Sequence, residues 1–290
     1  MNAPPAIHTD QTVYYLGPQG TFTHAATLRA FQSGARFEPI ADIPGVFEAL
    51  ARDEHAFGVV PIENSIEGSV SFTLEALTEG GAPNIVGEII VEVEQCLLGV
   101  GELAGVREIL SHPHALAQCK HWLRQNLPRA KLTSSGSTAG AAFTVRGRPE
   151  AAAIASALAA QQAGVPIIAR GISDRRDNAT RFLILGRATP SATGRDKTSI
   201  VFGAPHRRGA LYRLLGIFDH HDINLSRIES RPMPGHMWQY IFFADLEGHR
   251  DDMSLNAALQ QLQANAPMLR VLGSYPRAPA LNEDASEDAP

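Results

Sequence analysis

Between residues 13 and 185, short apolar runs alternate with longer stretches in which apolar residues recur at helical spacing. Short runs bounded by Gly or Pro predict buried strands, and the helical spacing predicts amphipathic helices. We predict strands at 13–16, 37–40, 57–60, 106–110, 130–135, 165–168 and 182–185, with one long strand or two at 85–100. Helices are predicted at 21–31, 43–51, 70–78, 115–125 and, in two alanine-rich stretches, 136–145 and 150–163. The β-α-β-α order occurs twice, which indicates two α/β lobes.

A second unit follows residues 189–196, which have the composition of a linker. Its pattern predicts strands at 199–202, 223–229, 238–244 and 269–272, with helices at 210–220 and 253–264. This β-α-β-β-α-β order is the ferredoxin-like arrangement. Residues 277–290 are acidic and rich in Ala and Pro, so we expect a disordered tail.

Composition narrows the classes of function. The chain of 290 residues is 44% hydrophobic and 19% charged, which suits one large domain or two. A net charge of -5 without a basic stripe argues against a nucleic-acid partner. No apolar run approaches the roughly 20 residues of a membrane span. The first 11 residues lack the features of a signal peptide, and two cysteines make no disulfide framework, so we expect a cytoplasmic protein with reduced thiols.

Polar segments after predicted strands are the candidate sites. A Gly-rich turn at 17–20 precedes a helix, where free backbone N–H groups can meet an anion. The loop at 61–69 carries carboxylates, an amide and hydroxyls, which either form a site or cap the next helix. Residues 174–181, rich in Asp and Arg, form either a solvated turn or a site at the mouth of a sheet. None of the 11 histidines has the spacing of a metal site, so no metal is expected.

Five segments together resemble the prephenate dehydratase family. They are the stretches GPQGTFT at 17–23, PIENS at 61–65 with Gly68, SHPHALAQC at 111–119, STA at 137–139 and NATRF at 178–182. One departure is His114, where the family often has Gln. The resemblance covers about residues 12–276. It implies an α/β fold with a catalytic domain of two lobes, like a type 2 periplasmic-binding protein, at 12–188. It also implies an ACT regulatory domain at 197–276.

The resemblance implies conversion of prephenate to phenylpyruvate, without a cofactor and without a fused chorismate mutase domain. It assigns the key role at the leaving hydroxyl to Thr180. Arg181 is the further catalytic candidate that can pair with a substrate carboxylate. Glu63 either acts as the acid, if burial raises its pKa, or fixes its loop by hydrogen bonds to the backbone at Asn64 or Ser65. The substrate is expected to contact Thr21, Phe22, Asn64, Ser65, Ser111, Ser137, Thr138, Ala139, Asn178 and Phe182.

The ACT resemblance implies that L-phenylalanine binds the second unit and inhibits the enzyme. The expected effector residues are Gly209, Ala210, Leu211, Asn224, Leu225, Ser226, Glu229, Ser230, Arg231 and Pro232. ACT domains commonly pair, so we expect a homodimer or homotetramer. The open alternatives are arogenate dehydratase or a cyclohexadienyl dehydratase of dual specificity, a solute-binding protein, and an amino-acid sensor with an inactive enzyme domain.

Overall fold

The computed structural model describes residues 11–31, 34–233, 235 and 239–279. The first lobe comprises β1 Thr12–Leu16, α1 Phe22–Ala30, β2 Arg36–Ile40, α2 Ile43–Arg52, β3 Phe57–Asn64, β4 Gly68–Ser69, α3 Ser71–Thr78 and β5 Asn84–Glu92. The second lobe comprises β6 Cys96–Leu98, β7 Glu108–Ser111, α4 Pro113–Gln118, α5 Lys120–Asn126, β8 Lys131–Ser134, α6 Thr138–Thr144, β9 Ala151–Ala155, α7 Ala157–Ala163 and β10 Ile167–Ala169. The chain then returns to the first lobe as β11 Ala179–Gly186.

Each lobe is built on its own sheet. The first sheet has the order β2-β1-β3-β11-β5, with β4 beside β3, and the second has the order β10-β6-β9-β7-β8. In the first sheet β11 is antiparallel to both neighbours and lies between them. The predicted α/β class with two lobes is confirmed.

The strand β9 corrects one prediction. The alanine run at 150–163 predicted a single helix, because Ala has the highest helix propensity. Instead, residues 151–155 form the central strand of the second sheet, and each of them is fully buried. Small side chains let α6 pack closely on this strand, so tertiary packing overrides local propensity. The helix begins only at Ala157. Ser156 caps its start by accepting a hydrogen bond from the backbone N–H of Ala159 at 3.0 Å.

The second unit has the predicted ferredoxin-like order: β12 Asp196–Gly203, α8 Ala210–His220, β13 Leu225–Pro232, β14 Tyr240–Glu247, α9 Met253–Asn265 and β15 Leu269–Pro276. Its antiparallel sheet has the order β13-β14-β12-β15. Every residue of β12 is buried, whereas the edge strand β13 alternates between half-buried and exposed positions. The predicted start of β14 at Trp238 lies outside the described residues.

The two faces of this sheet have different neighbours. Ile200 and Phe202 on one face pack against α8 and α9. Val201, Phe243 and Tyr275 on the other face belong to the same hydrophobic core as Leu183 of β11. The first lobe and the second unit therefore share one core.

Backbone contact strengthens this junction. A Cβ atom on Gly273 would lie 2.0 Å from the carbonyl oxygen of Ile85. Only glycine fits that close approach between β15 and β5.

The connection between β11 and β12 is anchored along its length. The Asp196 carboxylate accepts hydrogen bonds from the backbone N–H and the hydroxyl of Thr193, at 2.7 and 2.8 Å. His249 contacts the carbonyl oxygen of Pro190 at 3.1 Å. Of the predicted tail, residues 280–290 lie outside the described part, and Arg277 donates a hydrogen bond to Glu247 at 3.0 Å. Among the described helices, none has both the length and the apolar character that a membrane crossing requires.

Candidate active site

The two lobes meet at a pair of crossing segments, residues 93–95 and 170–178. The backbone N–H of Val93 donates to the carbonyl of Asn178 at 2.8 Å, and that of Ile172 donates to the carbonyl of Gln95 at 3.0 Å. The carboxyl ends of the parallel strands β1 and β3 face the same edge of the first sheet as the amino end of β11. That edge of an α/β sheet is where ligands commonly bind.

Asn64 is the centre of a polar network at this edge. Its amide nitrogen donates to Thr180 Oγ1 at 2.9 Å and to Asn178 Oδ1 at 2.7 Å. Its carbonyl oxygen accepts from the backbone N–H groups of Ile66 and Glu67, both at 3.0 Å. The amide is therefore fixed, and it holds the Thr180 oxygen as an acceptor.

The network continues into the second lobe. The amide nitrogen of Asn178 donates to Gln118 at 3.2 Å, and Gln118 in turn donates to Glu67 at 3.2 Å. Glu67 lies 3.8 Å from His114 Nδ1. Gln118, Glu67 and His114 were absent from the predicted site residues, although Gln118 and His114 stand in the SHPHALAQC segment and Glu67 follows the PIENS segment. Their side chains join the two lobes across the cleft.

Three helix starts converge at Gly20. Thr21 begins α1 by accepting a hydrogen bond from the backbone N–H of His24 at 3.2 Å. Ser156, which begins α7, donates to the carbonyl of Gly20 at 2.9 Å. A Cβ atom on Gly20 would lie 3.0 Å from Ala159 of α7 and 3.5 Å from Ala139 of α6. Converging helix N-termini favour a negatively charged ligand.

The remaining predicted substrate residues occupy different environments. Ser137 begins α6 by accepting from the backbone N–H of Gly140 at 2.9 Å, and Thr138 is the first residue of that helix. Ala139 is fully buried, and Phe22 is half-buried against the core that contains Phe182. Phe182 is itself buried within that core, one pleat beyond Thr180 on the same face of β11.

Two predicted substrate serines have their hydroxyl hydrogens engaged elsewhere. Ser65 donates to the carbonyl of Asp177 at 3.0 Å and lies in the turn between β3 and β4, so it does not cap the next helix. Helix α3 begins only at Ser71, and no side chain caps it. Ser111 is fully buried and donates to the carbonyl of Ile154 at 2.6 Å. Both serines therefore make structural hydrogen bonds to backbone carbonyls.

Arg181 and Glu63 lie on the opposite face of the sheet from Thr180 and Asn64. Thr180 is the register partner of Asn64, and Arg181 is the partner of Glu63. Since successive side chains point to opposite faces of a strand, the two pairs diverge. Arg181 Nε donates to Glu88 at 2.6 Å and Nη1 donates to Asp245 of β14 at 2.5 Å. The structure thus pairs Arg181 with protein carboxylates, in contrast to the expected pairing with substrate.

Glu63 also contacts the second unit. Its carboxylate lies 3.2 Å from Arg227 Nε on β13 and 3.9 Å from Arg181 Nη1. The predicted role of Glu63 as an acid requires the face that Asn64 and Thr180 occupy, and the structure does not bring it there.

Electrostatics stabilise the ionised forms in this cluster. Burial alone would raise the pKa of Asp245, but the charge of Arg181 and the hydrogen bond from Ser199 hold that pKa below its usual value. Burial raises the pKa of Tyr275, which therefore stays protonated and accepts a hydrogen bond from Arg181 at 3.0 Å. Lys197 contributes a second cation, 2.8 Å from Glu88.

The polar segment at 174–178 belongs to the hinge between the lobes. The Asp174 carboxylate accepts from the backbone N–H groups of His121 and Trp122 at the start of α5, at 2.9 and 3.1 Å. Arg175 pairs with Asp177 at 2.5 Å, and Asn178 is buried in the network described above. Thr180 and Arg181 lie within β11, in contrast to the predicted loop.

Most of the predicted effector residues lie at the start of α8 and along β13. Gly209 adopts a φ of +70° directly before α8, and Ala210 and Leu211 begin the helix. Ser226 donates to the carbonyl of Asp245 at 3.2 Å. Asn224 precedes β13, and Leu225, Ser230 and Pro232 lie within it.

Glu229 and Arg231 form an ion pair at 2.7 Å. Glu229 also accepts hydrogen bonds from Arg227, at 2.9 Å, and from Ser69 of β4. The predicted effector segment therefore contacts the first lobe.

Two cavities lie away from the predicted substrate residues. A cavity of about 690 Å³ runs along α7 and β10, and one of about 110 Å³ lies between α8 and α9, with Ala210 in its wall. No predicted substrate residue lines either cavity. The described residues contain no group of three His, Cys, Asp or Glu side chains arranged to hold a metal.

Comparison with known proteins agrees with this architecture. The sequence profile described as prephenate dehydratase matches residues 13–190, and the ACT domain profile matches residues 198–264. The bifunctional chorismate mutase/prephenate dehydratase of Aquifex aeolicus is 43% identical over 267 residues, which cover 92% of this chain and 74% of that protein.

Two solved structures have the same fold over nearly the whole chain. Prephenate dehydratase from Arthrobacter aurescens in complex with L-Phe is 38% identical, with a TM-score of 0.85 and coverage of 92% of this chain and 90% of that one. GqqA, described as a novel type of quorum quenching acylase, is 32% identical, with a TM-score of 0.83 and coverage of 93% of this chain and 99% of that one. The chain therefore belongs to the prephenate dehydratase family and is a prephenate dehydratase with a C-terminal ACT domain.

Proposed function

We propose that this enzyme converts prephenate to phenylpyruvate, carbon dioxide and water. In this reaction the bond to the ring carboxylate breaks, its electron pair enters the ring, and the ring hydroxyl leaves with a proton as water. Aromatisation drives the reaction, so the protein has to orient the substrate and assist the departing hydroxide. The family membership, together with the fixed Thr180 hydroxyl, supports this proposal.

Thr180 is the group that we propose hydrogen-bonds the leaving hydroxyl. Its oxygen accepts a hydrogen bond from Asn64, and within the described part of the chain no group accepts the hydrogen of its hydroxyl. That hydrogen is available to a substrate in the cleft. Because a threonine is a weak acid, we assign Thr180 a hydrogen-bonding or relay role.

The substrate carboxylates need a binding site other than Arg181, which is already paired with Glu88 and Asp245. We propose that the loop at Gly20 and Thr21, together with the start of α6 at Ser137 and Thr138, binds one carboxylate. The converging helix N-termini support this assignment. Asn64 and Asn178 then orient Thr180 beside the ring.

Steady-state turnover of prephenate by the purified full-length chain tests the reaction. We expect release of phenylpyruvate with normal saturation, and no turnover would overturn the proposal. Arogenate, assayed in parallel, separates the dehydratases: a larger kcat/KM for arogenate would assign the sister activity, and comparable values would assign dual specificity.

An acylase assay completes the panel, because one similar structure is described as an acylase. Ser65 and Ser111 both donate to backbone carbonyls, which is not the arrangement of an activated nucleophile. We expect no amide hydrolysis.

We propose further that L-phenylalanine binds the ACT domain of an oligomer and inhibits the dehydratase. The L-Phe complex of the Arthrobacter aurescens relative supports this proposal. An exposed edge at β13 with Ile228 on its surface supports pairing of two ACT domains as a dimer or tetramer. The two free and buried cysteines, Cys96 and Cys119, suit the cytoplasm that we propose as its location.

Calorimetry and light scattering test the regulatory proposal. We expect L-phenylalanine to bind with measurable heat and to slow turnover, and Asn224→Ala to weaken binding while uninhibited turnover is preserved. Asn256→Ala, which removes an exposed amide of α9 that donates to the carbonyl of Arg250 at 3.2 Å, is the matched control. A monomer at micromolar concentration, or binding without any effect on rate, would contradict this proposal.

A further inference from the structure

The strand pair β3–β11 has two chemically different faces directly behind one another. Asn64 and Thr180 occupy one face and bond to each other. Glu63 and Arg181, the neighbouring residues on the same strands, occupy the other face and contact the ACT domain. One peptide unit therefore separates each residue of the proposed catalytic pair from a residue held by the ACT domain.

The ion pairs of Arg181 are almost entirely shielded from solvent. Its side chain is 12% exposed, and its partners Glu88 and Asp245 are 1% and 5% exposed. Tyr275 of β15 accepts a third hydrogen bond from the guanidinium at 3.0 Å, and Ser199 of β12 donates to Asp245 at 2.5 Å. Forked, charge-assisted bonds of this kind fix a guanidinium in both distance and orientation.

A second contact lies beside it on β3 and β4. Arg227 of β13 lies 3.2 Å from Glu63 and donates to Ser69 Oγ at 2.7 Å. Glu229 accepts from both Arg227 and Ser69. The ACT domain thus holds both strands that carry the proposed catalytic pair, at the end where that pair lies.

We propose that Arg181 and Glu63 are positioning residues through which the ACT domain sets the placement of Thr180 and Asn64 in the cleft. Asp245 and Tyr275 hold β11, and Arg227 holds β3. This inference rests on the proposed dehydratase activity and gives Arg181 a role other than carboxylate binding. A ligand that draws Glu229 or Arg227 away from Ser69 and Glu63 would move the backbone of β3, which carries Asn64, and so the amide that bonds to Thr180.

The first test compares Arg181→Lys with Asp245→Asn in the full-length chain, using the folded fraction determined by circular dichroism. We expect each variant to lower kcat by about 10- to 100-fold, because small displacements of a catalytic group have effects of that size. KM for prephenate should stay within about twofold. The double variant should lose less than the product of the single effects, because both residues act through one contact.

Asp251→Asn is the matched control, since it removes the same charge from the same domain at a side chain that is 71% exposed. It should leave kcat and KM unchanged. If Arg181→Lys raises KM while Asp245→Asn has no effect, Arg181 binds substrate and the inference fails. Wild-type chain that does not turn over prephenate would instead contradict the proposed function.

The second test alters the junction without changing any charge, in case the charge variants do not fold. Gly273→Ala places a Cβ atom 2.0 Å from the Ile85 carbonyl and must shift β15 against β5. Tyr275→Phe removes one hydrogen bond from Arg181 and keeps the ring. We expect both to lower kcat at nearly constant KM, with Tyr275→Phe the milder, within about tenfold.

Gly216→Ala in α8 is the control for the glycine variant, because an added Cβ would meet open space there. It should leave kcat unchanged. Gly273→Ala and Tyr275→Phe that are folded and have wild-type kcat would show that the junction contributes stability alone, and would overturn the inference.

Discussion

The two faces of the β3–β11 strand pair carry chemically different side chains on adjacent residues. The cleft face uses neutral groups, the Asn64 amide and the Thr180 hydroxyl, held at 2.9 Å. The ACT face uses ions, with Arg181 and Lys197 against Glu88 and Asp245. Neutral groups leave a hydrogen free for substrate, whereas buried ions are stable only when each finds its partner. Adjacent residues of one strand pair thus meet different surroundings, with Asn64 and Thr180 in one polar network and Arg181 against the ACT domain.

Glu88→Gln should lower the stability of the protein more than the other variants, because it disrupts the ion pairs of the charged face. The substitution leaves Lys197 and Arg181 with one buried carboxylate fewer, and unpairing a buried ion typically costs about 3–5 kcal/mol. We expect the free energy of unfolding in urea to fall by that amount. Glu48→Gln, whose side chain is 66% exposed in its pair with Arg52, is the matched control and should change stability by less than about 0.5 kcal/mol. Equal losses from the two variants would contradict the importance of the buried cluster.

Thr180→Ala should remove the hydroxyl of the neutral face and lower kcat without unfolding the protein. Removing a hydrogen-bond donor that acts on the transition state lowers kcat by about 100- to 1000-fold. We expect KM to change little, because binding relies on other groups. Thr144→Ala removes an equivalent hydroxyl, one that donates to a helix carbonyl at 2.9 Å, and should leave kcat unchanged. Near-normal kcat in Thr180→Ala would remove this hydroxyl from the mechanism.

A smaller effect is expected in the pH dependence of the free energy of unfolding, and it should arise from His24. Burial lowers the pKa of His24, whose Nδ1 accepts a hydrogen bond from the backbone N–H of Gly20 at 3.1 Å. Because the pKa is lower in the folded state, this contribution is fully present above the unfolded value of about 6.5 and is lost as pH falls below it. The loss is at most about 1.4 kcal/mol per pH unit.

Urea unfolding at pH 7.5 and 5.5 measures this contribution. The decrease in stability should be smaller in His24→Asn than in the wild-type chain, and unaltered in the control His55→Asn, an exposed residue. A His24→Asn variant with the wild-type pH dependence would show that His24 is not the group that titrates.

Local patterns determined much of this protein. The apolar runs and helical spacings predicted most of the elements, both units and their order, since burial imposes a period of two on strands and 3.6 on helices. The motif segments also predicted the family and placed Asn64, Asn178 and Thr180 in one region. Hydroxyl and amide side chains at strand ends carry that signal in the sequence itself.

Tertiary structure decided where the neighbouring residues point and what they contact. The alanine-rich residues 151–155 form a strand because their mostly small side chains fit the buried centre of the second sheet. Arg181 and Glu63 face away from Thr180 and Asn64 because β11 and β3 are extended there, and successive side chains of a strand point to opposite faces. Their partners Asp245 and Arg227 are 64 and 164 positions further along the chain. No local pattern contains such distant pairs, and only packing of the ACT sheet on the first lobe brings them together.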